Sequence, residues 1–202
     1  MTISQTTTEV IAPVFSPLLR QYTLEEFWAL PDPEGRAHYD LIGGTLVMVP
    51  PPDPPHGDVD SRLNRSLITF LNANGMPGDV HHPREGIYVG DTYIEPDMMY
   101  VSNELRAKMG KRRTSADIVF EYLSRITANY DRTTKADTYL ALGVRELWLL
   151  DSELRSIEIR STATTGKGFP VSESRRYGPG ESAYSPVLVG WQVSIDTLFA
   201  GL

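Results

Sequence analysis

The chain has 202 residues, 41% of them hydrophobic, and a formal net charge of -7, enough for one large domain with its own core. It contains no cysteine, which excludes disulfides, thiolate metal sites and cysteine nucleophiles and makes a reducing cytoplasm the natural compartment. The acidic balance weighs against bulk nucleic-acid binding through a basic surface, and no apolar run approaches the roughly 20 residues that a bilayer requires.

Residues 1–20 have neither the basic nor the apolar stretch of a signal peptide and read as a flexible tail. Residues 21–202 show no repeat and no linker, and read as a single domain. In "YTLEEFWAL" a capping box from Thr23 to Glu26 starts a short helix, which "PDPEG" ends. "AHYDLIGGTLVMV" is two strand-like runs joined by Gly43-Gly44, a hairpin pattern. The prolines of "PPPDPP" predict a rigid, polyproline-like connection.

From His56 to about Asn74 the residues Val59, Leu63, Leu67, Phe70 and Leu71 recur at helical spacing. "GIYVGDTYIEPDMMYVS" predicts two strands around Gly90-Asp91, with Pro96 marking an edge or an irregularity in the second. "RAKMGKRR" puts five positive residues (Arg106, Lys108, Lys111, Arg112, Arg113) into eight positions, a solvated loop unless it meets a phosphate backbone. "DIVFEYL" reads as a central strand, and "NYDRTTKADTYLAL" as a helix with Gly143 as its C-terminal cap. "ELWLLD" and "SIEIRS" are again strands. Residues 167–190, rich in Gly, Ser and Pro, read as irregular strands or an exposed flap, and "SIDTLFAGL" as a closing short helix. Central strands with flanking helices imply an α/β or α+β architecture around one mixed sheet.

Three Asp residues follow a proline. Turn chemistry explains Asp32 and Asp53 in their Pro-rich loops. Asp97 lies inside strand-like "YIEPDMMYV", where a carboxylate is costly unless it is paired, exposed or metal-bound. Glu121 poses the same problem more sharply, because strand alternation groups it with Val119 and Leu123 on one face, opposite Phe120 and Tyr122. An acid at the sheet rim, bonded to an Arg or Tyr, is one reading. The other adds Asp40 from "HYDLI": three converging carboxylates would repel one another unless a cation neutralised them. Hard oxygen ligands without thiolate favour Mg²⁺ or Mn²⁺ over zinc, and such an ion suits phosphodiester hydrolysis.

The series "YDLIGGTLVMVPPP", "PPHGDVDSRLNRSLITFL", "YIEPDMMYV" and "FEYLSRITANYDRTTKADTYLALGVRELWLLD" resembles the bacterial putative restriction endonuclease family of the PD-(D/E)XK nuclease superfamily, over roughly residues 20 to 200. The resemblance implies a restriction-endonuclease-like mixed central sheet flanked by helices. It also implies a Mg²⁺-dependent (or Mn²⁺-dependent) endonuclease acting on DNA, with a homodimer as its common assembly. In that superfamily a Pro-Asp and a later Glu-X-Lys supply two metal-binding acids and a catalytic lysine. Asp97 matches the first acid and Glu121 the second. Position 123, where the lysine is expected, is Leu123, and Lys135 on the following helix matches the relocated lysine of this family.

The resemblance further implies Asp97, Glu121 and Lys135 as the catalytic set, with the Tyr122 carbonyl and Asp40 as additional metal ligands. Asp40 stands where glutamate is usual, and its shorter side chain would join the metal directly or through a water. His56, Asp131 and Tyr139 are supporting candidates: His56 opens the long helix, and Asp131, Lys135 and Tyr139 share one helix face. An exposed Asp131–Lys135 ion pair is the plainer reading of that spacing. Lys108, Lys111, Arg112 and Arg113 are candidate contacts to a nucleic-acid backbone. Arg125 replaces the usual proline after Ser124, and Gly43 replaces a common acid. A catalytically inactive nuclease fold, kept as a nucleic-acid-binding or protein-interaction module, and a structural dimer with rim acids remain the alternatives.

Overall fold

The computed structural model describes residues 20–33, 35, 37–51, 55–164 and 170–202. The predicted tail up to residue 19, Asp53 and residues 165–169 lie outside the described residues. Helix α1 (Leu24–Trp28) begins at the predicted capping box: the Thr23 side chain accepts from the Glu26 N–H, and the Glu26 carboxylate accepts from the Thr23 N–H. Strands β1 (His38–Ile42) and β2 (Thr45–Val49) form the expected hairpin. Its two turn residues, Gly43 and Gly44, have φ of +53° and +81°, the left-handed pair that a two-residue connection demands. Helix α2 (Pro55–Ala73) buries Val59, Leu63, Leu67 and Leu71, with Phe70 half-buried beside them.

The next stretch departs from expectation. A short edge strand, β3 (Gly78–His81), precedes β4 (Ile87–Val89), β5 (Thr92–Ile94) and β6 (Met98–Ser102). The two predicted strands are therefore three, because the chain changes sheets at Glu95-Pro96-Asp97. Helix α3 (Asn103–Met109), capped by the Ser102 side chain, takes up Arg106 and Lys108, so the basic segment is only partly a loop. Then come β7 (Ile118–Leu123), α4 (Ala128–Tyr130), a wide helical turn over Asp131–Lys135, and α5 (Ala136–Ala141). Gly143, at φ +81°, ends α5 as predicted: its N–H bonds Leu140 O, and the Val144 N–H bonds Tyr139 O. The chain closes with β8 (Glu146–Asp151), β9 (Ser156–Thr164), β10 (Pro170–Tyr177), β11 (Ser182–Tyr184), β12 (Gln192–Ser194) and α6 (Ile195–Leu198). The predicted flap is in part a regular strand, β10, paired antiparallel along β9.

A six-stranded mixed sheet in the order β10-β9-β8-β7-β6-β3 forms the centre, with β7 and β8 its only parallel neighbours. A parallel pair needs a crossover, and the α4–α5 helix supplies it. One face packs Phe120, Tyr122 and Trp148 against α2 and α6, while the other packs Val119, Leu123 and Leu149 against α5. Burying each such large side chain contributes about 1.5–3 kcal/mol. A four-stranded sheet, β2-β1-β5-β4, joins α1 in an aromatic cluster around Phe27 and Tyr93. Among the described residues no helix is long and apolar enough to cross a membrane.

Candidate active site

The sheet change at Pro96 builds the first part of the site. Proline cannot donate to a ladder, and β6 pairs with β7 only as far as Met98 opposite Phe120. Tyr122, two residues further along β7, therefore lacks a strand partner on that side. The Asp97 carboxylate fills the place: its Oδ2 accepts the Tyr122 N–H at 2.8 Å. No hydrogen bond to Asp97 Oδ1 occurs among the described residues. The Tyr122 carbonyl leaves the strand on the same side as that N–H, and the Tyr122 hydroxyl donates to Asp60 on α2 at 2.9 Å.

Glu121 faces the opposite layer and is 2% exposed. Lys135 Nζ lies 2.9 Å from each of its carboxylate oxygens, and the Tyr139 hydroxyl donates to Oε1 at 2.6 Å. The ammonium also donates to the Glu95 carbonyl at 3.2 Å and stands 4.0 Å from Asp131 Oδ1. Burial pushes the Glu121 carboxyl well above its ordinary range, against the opposing charge of Lys135. Burial also disfavours the charge on Lys135, but Glu121, Asp40, Asp97 and Asp131 together outweigh it and hold the ammonium protonated. We read the pair as ionised, since Lys135 binds both oxygens of Glu121; Glu121 is the partner whose charge is less secure. Asp131 is likewise raised, chiefly by burial.

Asp40 is fully buried. Its Oδ1 accepts the Glu95 N–H and its Oδ2 accepts the Tyr130 hydroxyl, both at 3.0 Å. Both oxygens are thus engaged in holding the strand that leads to Asp97 and the helix that leads to Lys135. His56, in the first turn of α2, places Nε2 at 3.4 Å from the Leu123 carbonyl, while its Nδ1 is buried without a partner. His38 Nε2 is buried without a hydrogen-bond partner as well. Asp97, Glu121, Tyr122, Lys135 and both histidines line one cavity of about 40 Å³.

Among the described residues no three His, Asp or Glu side chains stand close enough to cage a metal ion alone. The cavity offers a partial set instead: Asp97 Oδ1, Glu121 and the Tyr122 carbonyl. Such a set fits Mg²⁺ or Mn²⁺, because Mg²⁺ keeps several waters and takes only one or two carboxylates. A cavity of this size admits water, while the unpartnered His56 Nδ1 and His38 Nε2 are themselves buried, the latter 3.8 Å from Asp40 Oδ1. Hard oxygen donors without sulfur point to the same ions.

The basic residues lie elsewhere. Segment 103–117 joins the end of β6 to the start of β7, whereas Asp97 and Glu121 sit toward the other end of these antiparallel strands. Lys108 pairs with Glu104 and Arg113 with Glu85. The structure does not bring Lys108, Lys111, Arg112 or Arg113 to the cavity. Conversely, the sequence reading missed His38, Asp60, Glu95 and Tyr130. His38 shares a strand face with Asp40 two residues later, a signal that alternation offers; Glu95 and Tyr130 lie within two residues of Asp97 and Asp131, but their bonds to Asp40, like that of Tyr122 to Asp60, are made by tertiary contacts.

A family model described as Uma2, putative restriction endonuclease, matches residues 24–196. The chain belongs to the Uma2 family. The matched span of this Uma2 chain contains Asp40, Asp97, Glu121 and Lys135. Among solved structures, a putative nuclease belonging to DUF820 from Anabaena variabilis ATCC 29413 aligns with a TM-score of 0.70 at 20% identity, over 88% of this chain and 97% of that one. At that identity the likeness is one of fold: the mixed central sheet flanked by helices is nuclease-like. No curated protein matches the Uma2 chain.

Proposed function

We propose that this Uma2 chain is a Mg²⁺- or Mn²⁺-dependent endonuclease that hydrolyses DNA phosphodiester bonds, with residues 21–202 acting as one domain. The observation that carries the reading is the seating of Lys135 on Glu121, beside Asp97, at the end of β7. A buried carboxylate at a strand end, Glu121, with Asp97 beside it in the wall of one small cavity, has a cost that binding a substrate or an ion explains. The single-domain reading is supported by β5 of the small sheet running directly into β6 of the large one.

Asp97, Glu121 and the Tyr122 carbonyl are the groups that would hold the ion. When bound, such an ion supplies charge for a phosphoryl oxygen and lowers the pKa of water. Lys135, protonated among four acids, acts as a hydrogen-bond donor and point charge rather than as a base. It orients water or steadies charge on a non-bridging phosphate oxygen. Asp40 acts at one remove, fixing the Glu95 backbone and Tyr130. His56 and His38 complete the wall of the cavity beside these groups. Tyr139 holds the Glu121 carboxylate in place.

DNA cleavage in Mg²⁺ and in Mn²⁺ by the wild type, Asp97→Asn, Glu121→Gln and Lys135→Met tests the proposal. Asparagine preserves an acceptor for the Tyr122 N–H, so Asp97→Asn is expected to fold normally, to lose cleavage and to lose any Mn²⁺-induced rise in Tm. Equal cleavage by all four proteins would sink the assignment. Nucleic-acid binding that ignores Mn²⁺, without cleavage, would favour the inactive-module reading.

A further inference from the structure

A second cleft adjoins the cavity at Asp97 and Glu121 and shares His38 with it. Helix α1 is short and amphipathic, and it commits Phe27 to the small aromatic core. Trp28, the next residue, is left outside and is 59% exposed, whereas Trp148 and Trp191 are buried. Its ring meets Tyr93 edge-on, with centroids 4.7 Å apart, so the aromatic core supports Trp28 without covering it. The cleft beside it, about 110 Å³, runs from α1 to the β1–β2 hairpin and the turn before β4. That volume suits one flat ring rather than a large ligand.

Arg84 and His38 frame this space. Arg84 is exposed and sits at φ +76°, a left-handed conformation that an arginine rarely adopts. Backbone strain of this kind persists where the surroundings impose it and clusters at ligand sites. Among the described residues no carboxylate lies within ion-pair distance of Arg84. His38 forms a wall of both this cleft and the cavity at Asp97 and Glu121. Asp32 and Glu95 also line the cleft, and the Glu95 carboxylate accepts the Tyr93 hydroxyl at 2.7 Å. These acids disfavour a phosphate deep inside; an uncharged base there, with its phosphate at the Arg84 rim, avoids the conflict.

An exposed aromatic ring with an arginine beside it is the arrangement by which proteins hold unpaired bases. Within a duplex both faces of a base are covered by its neighbours, so only an extruded or single-stranded base can stack on Trp28. We propose that this cleft binds one unpaired nucleobase of a DNA strand, stacked on Trp28, with the adjoining phosphate on Arg84. The preferred substrate is then DNA that is single-stranded or locally unpaired beside the cut. The cut rests on the nuclease reading; the binding site stands without it.

Binding is measured in EDTA, so that cleavage plays no part. Because the other two tryptophans are buried, quenching of the exposed tryptophan reports this site directly. A single-stranded oligothymidylate is expected to quench emission saturably, and a blunt, fully paired duplex is not. Trp28→Ala is expected to weaken single-strand binding roughly 5- to 150-fold, with Trp28→Phe recovering part of the loss. Arg84→Gly removes the cation while relieving the left-handed backbone, so it should weaken binding at unchanged or higher Tm. Undiminished single-strand affinity in a folded Trp28→Ala protein would overturn the proposal, as would equal quenching by the duplex. Emission that changes with protein concentration alone, with Trp28→Ala turning a dimer into a monomer, would overturn it in favour of a second copy covering this face. Asp97-dependent cleavage without quenching would sink this inference and leave the nuclease intact; quenching without cleavage would do the reverse.

Discussion

Replacing Lys135 with methionine removes the ammonium that faces Glu121 while keeping the length of the side chain. Lys135 is 2% exposed and Glu121 equally so, so water does not replace the lost charge. At 2.9 Å and an effective dielectric of about 20, one such contact amounts to about 6 kcal/mol. Desolvation of the lysine, which the variant no longer requires, offsets part of this. The net loss expected at neutral pH is roughly 3–5 kcal/mol, the cost of orphaning one member of a buried pair. The pH dependence is more diagnostic than the size. Burial already raises the Glu121 carboxyl, and Lys135 is the main influence opposing it. In Lys135→Met the folded-state pKa rises further above the ordinary carboxylate value of about 4.3. As the pH falls from neutrality toward that value, the folded variant gains a proton that the unfolded chain does not, and its stability rises relative to wild type. Urea denaturation across this window measures the effect, and Glu121→Gln with Lys135→Met should recover most of the loss because neither charge remains. A single variant within about 0.5 kcal/mol of wild type, with a parallel pH profile, would refute the assignment of Lys135 as the counter-charge.

Three further outcomes are expected. Tyr139→Phe deletes the donor to Glu121 Oε1 and should lower stability by roughly 1.5–3 kcal/mol, read from urea midpoints. Asp40→Ala leaves the Glu95 N–H and the Tyr130 hydroxyl without their acceptor. It should cost roughly 1–3 kcal/mol for each group left unsatisfied, and Asp40→Asn, which keeps an acceptor oxygen, should recover part of that loss in a thermal melt. Gly86→Ala would drive a methyl group into the Tyr93 ring; a loss of roughly 1–3 kcal/mol should come with a shift in Trp28 emission, since Tyr93 supports that side chain.

Local chemistry was legible where it acts over a few residues. The Thr23–Glu26 capping box, the Gly43-Gly44 hairpin, the buried stripe of α2 and the Gly143 cap all occur as the residues imply. Alternation in β7 correctly separated Phe120 and Tyr122 from Val119 and Leu123. Elements made by distant pairing were not legible. "GDVH" is too short and polar to declare itself, and β3 exists because β6 pairs with it. β10 alternates among Ser, Glu and Arg, so no apolar period marks it. The charge of the basic segment obscured a helix whose cap, Ser102, belongs to the preceding strand. At the site, the strand reading found the two costly acids, but only the family resemblance connected Glu121 to Lys135. The bracing of Asp40 by Tyr130 and Glu95 spans 90 and 55 residues of chain, beyond any local pattern.

The wide helical turn explains how the lysine can come from a helix at all. Side chains at 121 and 123 leave β7 on the same face, so a lysine at 123 would have reached the site from the strand. Leu123 instead joins the apolar layer under α5, and the charge must come from above. In a regular α-helix four residues overshoot one turn by about 40°, so Asp131, Lys135 and Tyr139 would drift steadily around the axis. Over Asp131–Lys135 the ladder is wider, and the Ala136 N–H reaches back to the Asp131 carbonyl. Four residues fall short of such a turn, and the drift across 131–135 runs opposite to that across 135–139. The two cancel in part, which keeps Asp131 beside Lys135 while Lys135 and Tyr139 both converge on Glu121. Arg132, on the turn's outer side, bonds Glu158 at 2.8 Å and Asp151 at 2.9 Å and ties it to β8 and β9. Such widened turns recur at functional sites because they re-aim side chains without ending a helix, and here the re-aimed group is Lys135, carried onto Glu121.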